Sequence, residues 1–269
     1  MFNLLKKAIL KTIRLLFYFI LSLVSIRKLQ FVIVTGADSS HFKSLCQLLN
    51  SLIKYESKTP IIVYDLGLSD YENDYLNYSY PSVEIRLFDY SQYPSYLNIK
   101  VNAGEYAWKP VIISNISNEF KCTVCWLDAG NLVTKRLVKV RKLTKVFGFF
   151  SLQTSGVISD WTHPKTLKYL KIPNNILNKR NLTGGCVSIN YNNPKARALV
   201  DQWKKCALIK ECIAPEGSGR HNHRQDQSVL SVLAYKIGIA NKLSIAHKFG
   251  IAHKFSDNFN EIKIHQDID

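Results

Sequence analysis

The chain has 269 residues, 46% of them hydrophobic and 12% aromatic, enough to bury a full core as one large domain and far from the composition of a disordered segment. Its 36 lysines and arginines against 20 acids leave a net charge of +16. An excess of that size points to anionic partners: phosphorylated small molecules, a membrane surface or nucleic acid.

The first thirty residues hold Lys6, Lys7, Lys11, Arg14, Arg27 and Lys28 and no acid. Lys7, Lys11 and Arg14 recur on one helical face, with Leu5, Ile9, Ile13 and Leu16 on another. The apolar run from Leu15 to Ile26 is shorter than the roughly 20 residues that a spanning helix needs. A basic amphipathic helix grading into an apolar end suits a membrane interface, so residues 1–28 are expected to attach the chain and 29–269 to form the globular domain. A short signal-anchor and an uncleaved signal peptide are the alternatives, and they leave the side of the membrane open.

From Phe31 the pattern turns globular. Phe31 to Thr35 reads as a buried strand, broken by Gly36-Ala37-Asp38-Ser39-Ser40. A helix is predicted from about His41 to Tyr55, then strands at Ile61 to Asp65 and Val83 to Phe88. Strand, helix and strand at this spacing predict a parallel sheet built from βαβ units. Thr35, Gly36 and Asp38 are candidate nucleotide contacts, although the turn lacks the glycine spacing of a dinucleotide fingerprint or a P-loop. An ordinary strand-to-helix turn uses a glycine as readily.

Gly104 to Pro110 is expected to begin a helix that ends near Asn118. Lys109 then sits in its first turn, where the helix dipole disfavours a cation. A bound anion would justify it there; a solvated lysine is the alternative. Thr123 to Leu127 follows as a buried central strand, ending in Asp128-Ala129-Gly130-Asn131. One carboxylate followed by small residues at a strand's carboxyl end leaves room for a polar ligand, and ligands in open α/β sheets sit beyond those ends. Lys135 to Lys145 holds six cations and no acid. It reads as a solvated face, or as one turned to a diphosphate, a phosphorylated acceptor or an acidic bilayer. No aromatic platform or binding motif interleaves it, which argues against nucleic acid.

Phe147 to Ser151 is another predicted strand, and Asn181 to Asn190 enters a further one through Thr183-Gly184-Gly185. Paired glycines let a substrate lie against the backbone or permit an awkward dihedral. Pro194 to Cys206 is a predicted helix, and a polar loop from Pro215 runs into another that presents Asp226 and Gln227 at its start. Helix capping is the plain alternative for Asp226. Ile245 to Phe249 recurs as Ile251 to Phe255, a local duplication. Cys206 and Cys212 are placed to bridge across a helix end in an oxidising compartment.

Tyr106 to Pro110, Asp128-Ala129-Gly130, Thr183-Gly184-Gly185 and Asp226-Gln227, in that order, resemble the GT-A nucleotide-sugar glycosyltransferases. The likeness runs from about Phe31 to Phe255. It is nearest to the retaining family of glycogenin and galactinol synthase and to a related uncharacterised group. It implies a single α/β domain of GT-A fold with a mostly parallel central sheet. It also implies a nucleotide-sugar donor, a glycan, lipid-linked or protein acceptor, and Mn²⁺ or Mg²⁺. In that family an Asp-x-Asp motif ends the central strand and holds the metal and the sugar nucleotide. Here Asp128 stands first and Gly130 replaces the second acid. The family's late His-x-x-Gly-x-x-Lys is partly matched from His247 to His253, with Lys254 one step late. The resemblance therefore gives Asp128 and His247 to the metal and Asp128 to the donor nucleotide, with Lys109 and Lys248 or Lys254 as the cations to neutralise phosphate. It gives Asp226, Gln227 and Gly185 to the sugar and acceptor. Such a site would stabilise a departing diphosphate while the sugar carbon becomes cation-like. A binding protein of the same fold without turnover, motivated by Gly130, and a basic membrane-binding adaptor are the competing classes.

Overall fold

The computed structural model describes residues 2–27, 29–241 and 260–268. Helix α1 (Phe2–Leu23) comes first. Strand β1 (Phe31–Ala37), α2 (Phe42–Glu56), β2 (Ile61–Asp65), α3 (Asp70–Ser79) and β3 (Val83–Leu87) then alternate. Helix α4 (Trp108–Phe120) leads into β4 (Thr123–Leu127), the short β5 (Leu132–Val133) and α5 (Val138–Phe147). Next come β6 (Phe149–Val157), α6 (Ile158–Trp161), α7 (Pro164–Tyr169) and β7 (Arg180–Asn190). Helices α8 (Pro194–Ala207), α9 (Lys210–Ile213) and α10 (Gln225–Lys236) precede β8 (Ile262–Lys263).

Six strands form one sheet in the order β3-β2-β1-β4-β7-β6. The pairings from β3 through β4 are parallel, and β7 runs antiparallel to both of its neighbours. The α/β class and the mostly parallel sheet expected from the sequence are those of the structure. Every residue of β1, β2 and β4 is buried, which is why these strands show no alternation of apolar and polar residues. Edge strand β3 does alternate, and its Arg86 pairs with Glu84 and Glu119.

Helix α1 packs through Phe17, stacked on Phe147, and through buried Leu21. Leu15, Leu16, Phe19, Ile20 and Leu23 stay exposed. Among the described residues no helix is long and apolar enough to cross a membrane. Two lysines of the basic run serve the end of α1: Lys142 Nζ donates to Ser22 O at 3.0 Å and Lys145 Nζ to Ser25 O at 2.7 Å. Cations at a helix's carboxyl end meet carbonyls that have no intrahelical partner. A third, Arg141, is buried against Glu56. The run is thus spent largely on holding α1 and α5 in place.

The helix expected from Gly104 begins later, at Trp108, and residues Asn102–Tyr106 instead form a tight left-handed turn. Its four non-glycine members, Asn102, Ala103, Glu105 and Tyr106, have φ between 47° and 53°. Each costs of order 1–2 kcal/mol relative to a right-handed turn. A Cβ at Gly104 would collide with Leu97 O, so only glycine fits the middle of this turn. Cys206 and Cys212 are disulfide-bonded between α8 and α9. His247, Lys254 and the duplicated pentapeptides lie outside the described residues.

Candidate active site

A cavity of about 550 Å³ opens beyond the carboxyl ends of β1 and β4, where the parallel order gives way to antiparallel β7. Lys109, in the first turn of α4, is at its centre. Its side chain is 4% exposed, and Nζ stands 3.0 Å from Asp128 Oδ1 and 3.1 Å from Asp226 Oδ2. The rings of Tyr106, Trp108 and Trp126 surround the ammonium at 5.7 to 5.8 Å. Burial alone would push this ammonium down, but Asp128 and Asp226 more than reverse that and hold it above the ordinary lysine range. Two carboxylates of the protein itself therefore account for a cation at this helix start, where the sequence alone leaves a bound anion and a solvated lysine open.

Asp128 lies one residue past β4, half-exposed to the cavity, with Oδ1 also accepting from Trp126 Nε1 at 2.6 Å. Asp226 is the second residue of α10 and is buried. Burial raises its carboxyl, Lys109 pulls against that, and the charge of Asp128 adds to the rise. Its Oδ2 meets Lys109 as an ion pair but accepts no hydrogen bond of good geometry. The helix cap is Arg224, so Asp226 is free of the capping role that was its plain alternative.

The glycine pair of β7 makes room for these acids. A Cβ at Gly184 would stand 2.7 Å from Asp226 Oδ2, and one at Gly185 3.0 Å from Asp128 Oδ2. Gly185 also fixes the loop after β4, its carbonyl accepting from Asp128 N at 2.9 Å and Asn131 Nδ2 at 2.6 Å. The close approach that this pair permits is that of the protein's own carboxylates.

The rim is strained and cationic. Gln225, at φ +38°, donates from Nε2 to Glu105 Oε2 at 3.3 Å, tying α10 to the left-handed turn. Arg220 Nη1 donates to the Tyr106 hydroxyl at 2.7 Å, and the Arg224 guanidinium lies 4.3 Å over the Trp161 ring. On the opposite wall His41 Nδ1 is 2.8 Å from Asp38 Oδ1. That bond raises the imidazole against its burial, and the charges of Asp267 and Asp128 raise it further.

Asp128, Asp226, Gln227, Gly185 and Lys109 all line this cavity, as do Gly36 and Asp38. Thr35 does not: it is fully buried within β1, one position too early to reach the opening. No residue of the Lys135 to Lys145 run lines it either. His247 and Lys254 lie outside the described residues. The sequence reading gave no role to His41, Arg220 or Arg224, nor to His265 and Asp267, which also line the cavity. The two arginines flank the Asp226 motif and were findable as cations in a polar loop; His265 and Asp267 carry no local signal.

Among the described residues no three acid, histidine or cysteine side chains stand close enough to hold a metal ion by themselves. Asp128 does offer a hard oxygen, and a Cβ at Gly130 would collide with the carboxylate of Asp267, whose farther oxygen is 2.6 Å from it. Paired carboxylates suit Mn²⁺ or Mg²⁺ when phosphate oxygens and water complete the shell.

A family model described as a protein of unknown function (DUF1647) matches residues 11–114. No curated protein matches. Solved structures similar to this chain include the bifunctional glycosyltransferase WbbM in its apo form, at 14% identity and a TM-score of 0.48 over 78% of this chain. The chain spans only 38% of WbbM. Core-mannan synthase A (CmsA/Ktr4) from Aspergillus fumigatus, in its Mn/GDP form, matches at 8% identity and a TM-score of 0.46, over 77% of this chain and 70% of that one. Mouse xyloside xylosyltransferase 1, in its apo form, matches at 9% identity and a TM-score of 0.48, over 88% of this chain and 97% of that one. These similar structures are glycosyltransferases of the GT-A type.

Proposed function

We propose that this protein is a GT-A glycosyltransferase that moves a sugar, most simply a hexose, from a nucleotide-sugar donor to a glycan, lipid-linked or protein acceptor. One observation carries the reading: Asp128 and Asp226 share a buried ammonium in a cavity of about 550 Å³ at the carboxyl edge of the sheet. That volume lies within the range typical of small-ligand sites, roughly 300–1,000 Å³. Kinship with the retaining glycogenin and galactinol synthase family is part of this reading and rests on the order of the motifs.

Transfer builds negative charge on the departing diphosphate and positive character on the sugar carbon. Arg220 and Arg224, each lodged against an aromatic ring, bring cations to the cavity wall to meet phosphate. Asp226, held by Lys109, faces the sugar, and Gln227 beside it orients sugar or acceptor hydroxyls. Asp38, paired with His41, and Gly36 receive the nucleoside end. Charges held in place before reaction need no reorganisation as the bond breaks, and Lys109 provides that rigidity for both acids. Mn²⁺ or Mg²⁺, held by Asp128 and by His247 of the resemblance, would neutralise diphosphate charge as a Lewis acid.

Residues 1–28 belong to the same proposal as a membrane-surface attachment, with 29–269 as the catalytic domain. The exposed Leu15, Leu16, Phe19, Ile20 and Leu23 and the cations of this stretch support it. The full chain should pellet with phosphatidylserine-containing vesicles and the chain lacking residues 1–28 should stay in solution. Pelleting of the shortened chain would move the attachment elsewhere.

Gly130 favours a second reading, a binding protein without turnover. Incubation with a panel of UDP- and GDP-sugars, with and without Mn²⁺, separates the two. Release of the nucleoside diphosphate marks the enzyme, whereas donor binding without release marks the binding protein.

A further inference from the structure

Position 130 is where an Asp-x-Asp motif would carry its second acid, and here it carries no side chain. The space is not empty, because the Asp267 carboxylate stands where a Cβ of residue 130 would project. Asp267 comes from a segment half the chain away, and that segment is clasped in place. Gln266 N donates to Gly130 O at 2.7 Å, directly beside the missing side chain. Gln47 Nε2 donates to Gln266 O at 2.7 Å, and Ile268 N to Ser44 Oγ at 2.9 Å. Upstream, β8 pairs with β5, and the Glu261 carboxylate accepts from Lys139 N at 2.8 and 3.0 Å.

Asp128 is prepared for a partner on this side. Its Oδ1 is committed to Trp126 and Lys109, which leaves Oδ2 as its ligand-binding oxygen. Asp128 and Asp267 line the same cavity, so the two carboxylates share one neighbourhood. Asp226, buried and ion-paired through Oδ2 with Lys109, lines the same cavity. A diphosphate brought between Asp128 and Asp267 without a counter-ion would set like charges together.

We infer that the 260–268 segment completes the donor site: Asp267 supplies the second carboxylate that Gly130 lacks, and a divalent cation with the donor's diphosphate binds between Asp128 and Asp267. This rests on the nucleotide-sugar reading above. Two carboxylates plus phosphate oxygens and water are a common shell for such cations, so no third protein group is required. The cation and the diphosphate therefore bind together, each raising the affinity for the other.

The test follows Mn²⁺ uptake by the electron paramagnetic resonance signal of the free ion, on the full chain, with UDP or GDP at saturation. Melting curves check that each variant is folded; Asp267 is exposed at the cavity mouth, so Asp267→Asn costs the fold little. Wild type should take up Mn²⁺ with one of the two diphosphates, and Asp267→Asn should bind it roughly tenfold or more weakly. The double variant Gly130→Asp with Asp267→Ala returns an acid to the β4 loop and removes the collision, and should recover most of that loss. Equal Mn²⁺ affinity in wild type and Asp267→Asn, with loss only in Asp128→Asn, overturns the inference and leaves the donor reading standing. So does a wild type that binds UDP or GDP without Mn²⁺, or a loss in Asp267→Asn that the double variant does not restore. Failure of wild type to bind either diphosphate under any condition overturns both.

Discussion

Among the described residues two cations, Arg141 and Lys109, are buried beside aromatic rings and acids, and they are spent differently. Arg141 sits 4.1 Å over the Phe31 ring and grips Glu56. Glu56 Oε1 accepts from Arg141 Nη1 and Leu137 N, and Oε2 from Arg141 Nη2 and Thr59 Oγ1. Burial raises that carboxyl, yet these donors outweigh it and leave it below its ordinary range. At Lys109 the balance is reversed: Asp226 is raised by burial and keeps an oxygen without a hydrogen bond. Both centres look alike as a list of charges. What separates them is that one is saturated and closed, while the other is unsaturated and opens on a cavity. A saturated buried pair holds a fold together, and an unsaturated one at a cleft is the commoner signature of chemistry.

The largest expected effect tests the closed centre. Glu56→Gln leaves Arg141 buried without its counter-charge, at a cost of about 3–5 kcal/mol. In a chain of this size that lowers the melting temperature by on the order of 10 °C. Binding of UDP or GDP to the protein that remains folded should not change; loss of that binding at an unaltered melting temperature would erase the contrast. Next come Asp128→Asn and Asp226→Asn, which keep volume and remove charge. Turnover should fall roughly a hundredfold or more in each. Melting should fall less than in Glu56→Gln, because Lys109 keeps one of its two carboxylates in either variant. Intact turnover with a lowered melting temperature would take that residue out of the active site.

The smallest effect is in acid, and its sign differs between the centres. Glu56 lies below its ordinary 4.5, so its contribution to stability is present above that value and disappears as pH falls through the folded value. Asp226 lies above its ordinary 3.8, so its contribution is present below that value and disappears as pH rises through the folded one. The melting curves of wild type and Glu56→Gln should therefore converge on acidification. Asp226→Asn should gain on wild type as pH rises. Parallel behaviour of the two pairs would show that the centres are not opposites.

Strands β1, β2 and β4 are legible because they are largely apolar runs, with glycine or a carboxylate where they end. Asp128 and Asp226 stand out for the same reason, at the junctions of elements. Lys109 is in the first turn of its helix, as the sequence places it, but a chain read in order does not show which acids meet it across the sheet. The run from Lys135 to Lys145 invited an anion for a related reason. Three of its charges are answered by Glu56, 85 residues upstream of Arg141, and by the carbonyls that end α1. Thr35 stands one residue before Gly36, the first residue of β1 to line the cavity. Asp267 had no signal at all, because its meaning depends on the emptiness of Gly130.

The clasp over Gly130 also has a kinetic meaning. Segment 260–268 is joined to the rest by a two-residue ladder and a few side-chain contacts, whereas β1 is buried between two parallel neighbours. A ladder that short is marginal alone, so it opens well before the main sheet unfolds. Amide hydrogens of Gln266 and Ile268 should exchange with solvent orders of magnitude faster than those of Ile33 and Val34, and slow when nucleotide and cation are bound. During folding, closing half the chain into a loop comes after the local βαβ pairings. Native fluorescence should then return in refolding before Mn²⁺-dependent nucleotide binding does, with the interval between them timing the arrival of the strap.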